Sequence, residues 1–130
     1  MLRPPSNYAD SVPPRLRPAD PFEVNDALAR FGGDEATSAD LRLLCKHYLA
    51  LLSVIAPGRS VEVRIPPYAA AQVVAGVRHT RGTPPAVVEM TPTLWIRLAI
   101  GQITWAQATQ SPEFTASGER ADLSAYLPIR

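Results

Sequence analysis

The chain has 130 residues, 46% of them hydrophobic and 19% charged, with a formal net charge of +1. That length suits one domain around one core, and so even a charge balance gives no global field for nucleic acid or an acidic membrane. A single cysteine, Cys45, excludes an internal disulfide and fits a reducing compartment.

Residues 1–20 hold five of the fourteen prolines and no periodic apolar face. Proline removes backbone donors and pushes its predecessor towards extended conformations. A flexible, Pro-rich tail over 1–20 and a single domain over 21–130 are therefore expected. The tail lacks the apolar stretch of a signal peptide. The longest apolar run, "YLALLSVIA" (48–56), is about half the ~18 residues of a membrane span. A cytoplasmic protein without integral membrane association is the expectation.

"DPFEVNDALARFGG" (20–33) opens as a helix: Asp20 caps, Pro21 suits the first position and the glycine pair stops it. Phe22, Val24, Ala27, Leu28 and Phe31 read as its buried face. A second helix starts at Thr37 or Ser38, with Asp40 completing a capping-box-like "TSAD". Leu41, Leu44, Cys45, Tyr48, Leu52 and Ile55 follow the helical rhythm, and Leu43, Leu51 and Val54 widen the apolar arc. Arg42, Lys46, His47 and Ser53 mark its solvent side.

The period then changes. "SVEVRI" (60–65) alternates as a half-buried strand, and further strands are expected over 68–76, 85–90 and 113–117. Thr91 and Pro92 open a helix through "TLWIRLAI", and "TWAQATQ" (104–110) and "ADLSAYL" (121–127) supply short ones. Grouped strands with helices before and after argue for an α+β domain rather than a doubly wound sheet.

The connector "GVRHTRGTPP" (76–85) has three readings. It is a polar loop whose glycines and prolines turn the chain, an anion cradle built on Arg78, His79 and Arg81, or a catalytic histidine site. It is not a phosphate-binding Walker loop, since Thr83 stands where that motif needs lysine. Catalysis lacks a spacing that gives His79 an orienting partner and a nucleophile. Cys45 and His47, two apart on a helix, point to different faces and cannot chelate together; no metal site and no cofactor are expected. "SGERADLS" (117–124) reads as surface ion pairs or a cap for the last helix.

Residues 91–128, with Trp95, Leu98, Gly101, Ile103, Trp105, Ala108, Phe114, Gly118 and Glu119 at the marked positions, resemble the carboxy-terminal half of the sterol carrier protein 2 superfamily. More specifically, "PGRSVEVRIPPYAAAQVVAGVRHTRGTPPAVVE" with "SGERADLSAYLP" resembles a small actinobacterial family of bacterial sterol carrier protein orthologues, over roughly 22–128. The resemblance implies a curved, mainly antiparallel sheet of about five strands with helices packed on one face. It further implies a hydrophobic cavity for a sterol, acyl or isoprenoid-like lipid, and a carrier rather than an enzyme. The residues placed to line such a cavity are Leu44, Tyr48, Leu52, Leu94, Trp95, Leu98, Ile103 and Trp105, with Ile100 beside them; Arg78, His79 and Arg81 would hold the polar end. The same side chains equally suit a solid core. Set against the carrier is an accessory or protein-interaction module with no small-molecule ligand, in which a homodimer would cover Leu43, Leu51 and Val54.

Overall fold

A computed structural model of the protein describes residues 16–76, 86–118 and 121–129. In chain order these form α1 (Pro21–Gly32), α2 (Ser38–Ile55), β1 (Val61–Ile65), β2 (Ala69–Val73), β3 (Ala86–Met90), α3 (Pro92–Ala99), α4 (Trp105–Thr109), β4 (Phe114–Ser117) and a 3₁₀ turn (Ser124–Tyr126).

The caps explain where the helices begin. Asp20 accepts from the backbone N–H groups of Phe22 and Glu23, and Pro21 follows it where no intrahelical donor is needed. Thr37 and Asp40 form a reciprocal capping box at α2. Asp40 also receives both arms of the Arg30 guanidinium, at 2.8 and 2.9 Å, which ties the two helices together beside their connecting loop. These donors hold the Asp40 carboxyl well below the usual carboxylate range, with the Arg30 hydrogen bond the largest cause. A depressed carboxyl pKa contributes stability above about pH 4 that is lost as pH falls further. The stability gap between wild type and Arg30→Gln should therefore narrow as pH drops below that value, measured by denaturant melts along a pH series.

The sheet order is β2-β1-β3-β4. β1 pairs antiparallel with β2 (Val63↔Ala71) and parallel with β3 (Val63↔Val88), and β3 pairs antiparallel with β4 (Val88↔Ala116). Alternation divides the faces. Val61, Val63, Ile65, Val73, Ala86, Val88 and Met90 are buried, while Arg64, Gln72 and Thr115 on the other face are exposed. The helices cover the first face, and α2 lies against β2 and α3.

Two expectations need correction. The described residues make a mixed sheet of four strands, two of its three pairings antiparallel; four is the number read from the residues, whereas the resemblance implied about five. Of the strand expected over 68–76, the described residues give β2, Ala69–Val73. Val74 ends it with a φ of 67°, turning the chain off the sheet. Hydrogen bonds hold that bend: Val74 N–H donates to Ala56 O at 2.7 Å, and Ser60 donates through both N–H and hydroxyl to Val74 O. The carboxy-terminal segment, expected as a short helix over 121–127, coils into the 3₁₀ turn, and Ile129 N–H donates to Ala99 O at 2.8 Å.

The second correction concerns α1 and the end of α2. Phe22 is 79% exposed, although Val24 and Ala27 are buried as expected. At 100° per residue Phe22 sits about 200° from Val24, on the opposite face. Val54 and Ile55, in the last turn of α2, are also exposed, at 71% and 48%.

Candidate functional site

Three residues of the sequence-derived lining meet at one groove. α3 ends at Ala99, and Gly101 turns the chain at a φ of 84°. Ile103 follows, and Thr104 starts α4 through a capping box with Gln107. These short pieces bring Leu98, Ile103 and Trp105 to one wall of a groove of about 440 Å³. Leu127, Pro128 and Ser124 form the other wall, held there by the bond from Ile129 to Ala99. Trp105 meets Phe114 edge to face, with ring centroids 5.3 Å apart, a favoured aromatic geometry that fixes the indole. The volume falls within the roughly 300–1,000 Å³ of small-molecule sites, and a mainly apolar wall with a few hydroxyls is what such sites need.

The other five lining residues lie deeper. Leu44, Tyr48, Leu52, Leu94 and Trp95 are buried in the one core cluster, and Leu98 belongs both to that cluster and to the groove. Trp95 is wholly buried, and its Nε1–H donates to the carbonyl of Cys45 at 3.2 Å. Ile100 is half-buried against the core. Arg78, His79 and Arg81 lie outside the described residues, as do Glu119 and Arg120 of the second polar cluster. In that cluster Asp122 accepts from Ser124 N–H at 2.8 Å, a local bond just ahead of the final turn.

Sequence reasoning missed Gly101, Leu127 and Pro128 as parts of the groove. The sequence marks Gly101 as a position of the resembled superfamily, not as part of a wall. Nothing periodic marks the terminal pair; they reach the groove through the fold of the last segment.

Among the described residues, Cys45 and His47 are engaged elsewhere. Burial pushes the Cys45 thiol up to about 12, so the nucleophilic thiolate is scarce near neutrality. His47, expected on the solvent side of α2, accepts at Nδ1 from Ala19 N–H at 2.9 Å, and burial lowers its pKa. Cys45 and His47 turn to different surroundings, with the thiol donating weakly to Pro92 O. Among the described residues no three His, Cys, Asp or Glu side chains gather in a group that could hold a metal ion.

A second groove, of about 500 Å³, lies between the segment before α1, the amino-terminal half of α2 and the β1–β2 turn. Arg17, Arg42, Lys46, Leu43 and Tyr68 are among its walls. Among the described residues no helix is long and apolar enough to cross a membrane.

No curated protein matches the chain. The model of the family described as Bacterial SCP ortholog matches residues 37–129, from the N-cap of α2 to the penultimate residue, leaving α1 outside the match. The chain belongs to the bacterial SCP ortholog family.

Proposed function

We propose that this domain is a non-catalytic carrier for an apolar, lipid-like ligand of the sterol, acyl or isoprenoid class. The observation that carries the reading is the groove at Trp105, where Leu98, Ile103, Trp105 and Leu127 present apolar surface beside the hydroxyls of Thr104 and Ser124. Membership of a sterol-carrier-like family supports it. In this reading Leu98, Ile103 and Trp105 touch the ligand. Leu44, Tyr48, Leu52, Leu94 and Trp95 form the packed floor behind them, and Arg78, His79 and Arg81 take the polar end. The engaged state of Cys45 and His47 supports a binding role over a catalytic one. The domain works without a cofactor, in the cytoplasm.

Native mass spectrometry of protein purified from its own host tests the proposal. The expected spectrum carries an adduct of a few hundred daltons that organic solvent removes and that Ile103→Arg abolishes. A consistently bare mass in freshly isolated protein contradicts it.

A second reading is an accessory module whose apolar surface serves a partner or a second copy of the chain. The exposure of Phe22, Val54 and Ile55 favours it. Under this reading light scattering gives a dimer mass that Val54→Asp halves; under the carrier reading Val54→Asp leaves ligand retention unchanged.

A further inference from the structure

The groove beside Arg17, Arg42 and Lys46 shares no wall residue with the groove at Trp105. Arg42 and Lys46 stand four residues apart on α2, so both project from one strip of the helix. Arg17 comes from the segment ahead of α1. That segment is fixed two residues later, where Ala19 N–H donates to His47, the neighbour of Lys46. Three cations thus line one concavity in a chain whose formal net charge is +1.

Nearby carboxylates are committed elsewhere. Asp40, two residues before Arg42, is held by Arg30 and by its capping box. Asp20, beside Ala19, caps α1. Among the described residues the ion pairs are Arg30–Asp40 and Arg64–Glu62, and neither includes Arg17, Arg42 or Lys46. Like charges gathered without a counter-charge repel one another, and an anion placed among them removes that repulsion. Two guanidinium forks and an ammonium suit a phosphate dianion better than a single carboxylate.

The remaining surface points to what the anion is attached to. Leu43 and Tyr68 also line the groove, and both are half-buried with apolar area open to it. A tyrosine ring offers a face on which an aromatic group stacks. The volume of about 500 Å³ holds a ligand larger than a bare ion. We propose that this groove is a second binding site, for a small phosphate monoester with an aromatic or apolar body. Its phosphate sits between Arg17, Arg42 and Lys46, and its body lies on Leu43 and Tyr68.

Isothermal titration with 1-naphthyl phosphate tests the site in the full chain. The expected result is saturable binding that weakens about tenfold or more in Arg42→Ala/Lys46→Ala and weakens again with added salt. Trp105→Phe should leave it unchanged, because that ring belongs to the other groove; this keeps the outcome independent of the carrier reading. 1-Naphthol and inorganic phosphate should each bind far more weakly than the ester. Equal affinity for 1-naphthol, or full affinity in the double variant, overturns the proposal. So does binding to phosphatidic acid vesicles without binding to the soluble ester, which would make the groove a lipid-surface contact. Arg17→Gln, outside every helix and strand, repeats the test should the double variant fail to fold.

Discussion

Replacing Trp95 with alanine should lower the stability of the domain by about 3–5 kcal/mol, the usual cost of deleting a buried large aromatic side chain. Trp95 is wholly buried, and it packs in the cluster that joins α2, α3 and the inner sheet face. Its removal leaves a hole bordered by other core side chains, and frees the Cys45 carbonyl from the indole N–H. A domain of this size has roughly 5–15 kcal/mol in total, so the variant should melt at least roughly 10 °C lower. Trp95→Phe should do less harm, because a ring remains and Cys45 O keeps its helical acceptor role. Thermal melts followed by circular dichroism compare the two. Equal stability of wild type and Trp95→Ala would mean that the indole is not part of a packed interior.

A comparable loss is expected from one methyl group. Gly58 lies between α2 and β1 with a φ of 151°, and a Cβ there would overlap the carbonyl of Val74. That carbonyl is already fixed by Ser60, and Val74 N–H by Ala56. The bend therefore has nowhere to retreat without breaking the bonds that end β2. Gly58→Ala should cost about 2–5 kcal/mol, combining backbone strain with overpacking. Gly32, the last residue of α1, supplies the control: a Cβ there meets nothing within 4 Å. Gly32→Ala should be neutral, or stabilise by up to about 1 kcal/mol. Urea melts of the two alanine variants, read side by side, check both expectations.

Much of the architecture is legible in local pattern. The alternation of "SVEVRI" gives β1, and the pairing of Thr37 with Asp40 gives the start of α2, because both signals depend on neighbours in sequence. The exposure of Phe22 is legible too, since its angle on the helix sets it opposite the buried Val24. The four strands were legible from the residues themselves, and the count of about five came from the resemblance; what local pattern does not show is where β2 stops. It turns on Val74 taking an unusual backbone conformation, stabilised by Ala56 and Ser60 from another part of the chain.

The candidate sites show the same division. Trp95 and Trp105 stand in one sequence string, yet the first is core and the second lines a groove. α3 buries most of its length, whereas in α4 only Ala108 is buried, so its indole is left half-exposed. The opposite wall, Leu127 and Pro128, comes from a segment without periodicity and becomes visible only after folding. Arg17 likewise joins Arg42 and Lys46 only in the fold, where Ala19 is bonded to His47 and Leu16 and Ala19 pack against the core.

The most direct test of the carrier proposal is the tryptophan emission of the intact domain, titrated with a stearic acid that carries a nitroxide quencher on its chain. Trp105 borders the groove and Trp95 does not. Saturable quenching that disappears in Ile103→Arg, and is lost in Trp105→Phe although Trp95 still emits, is the predicted result. Emission that never saturates, or that is quenched equally in all three proteins, would contradict a ligand seated against Trp105.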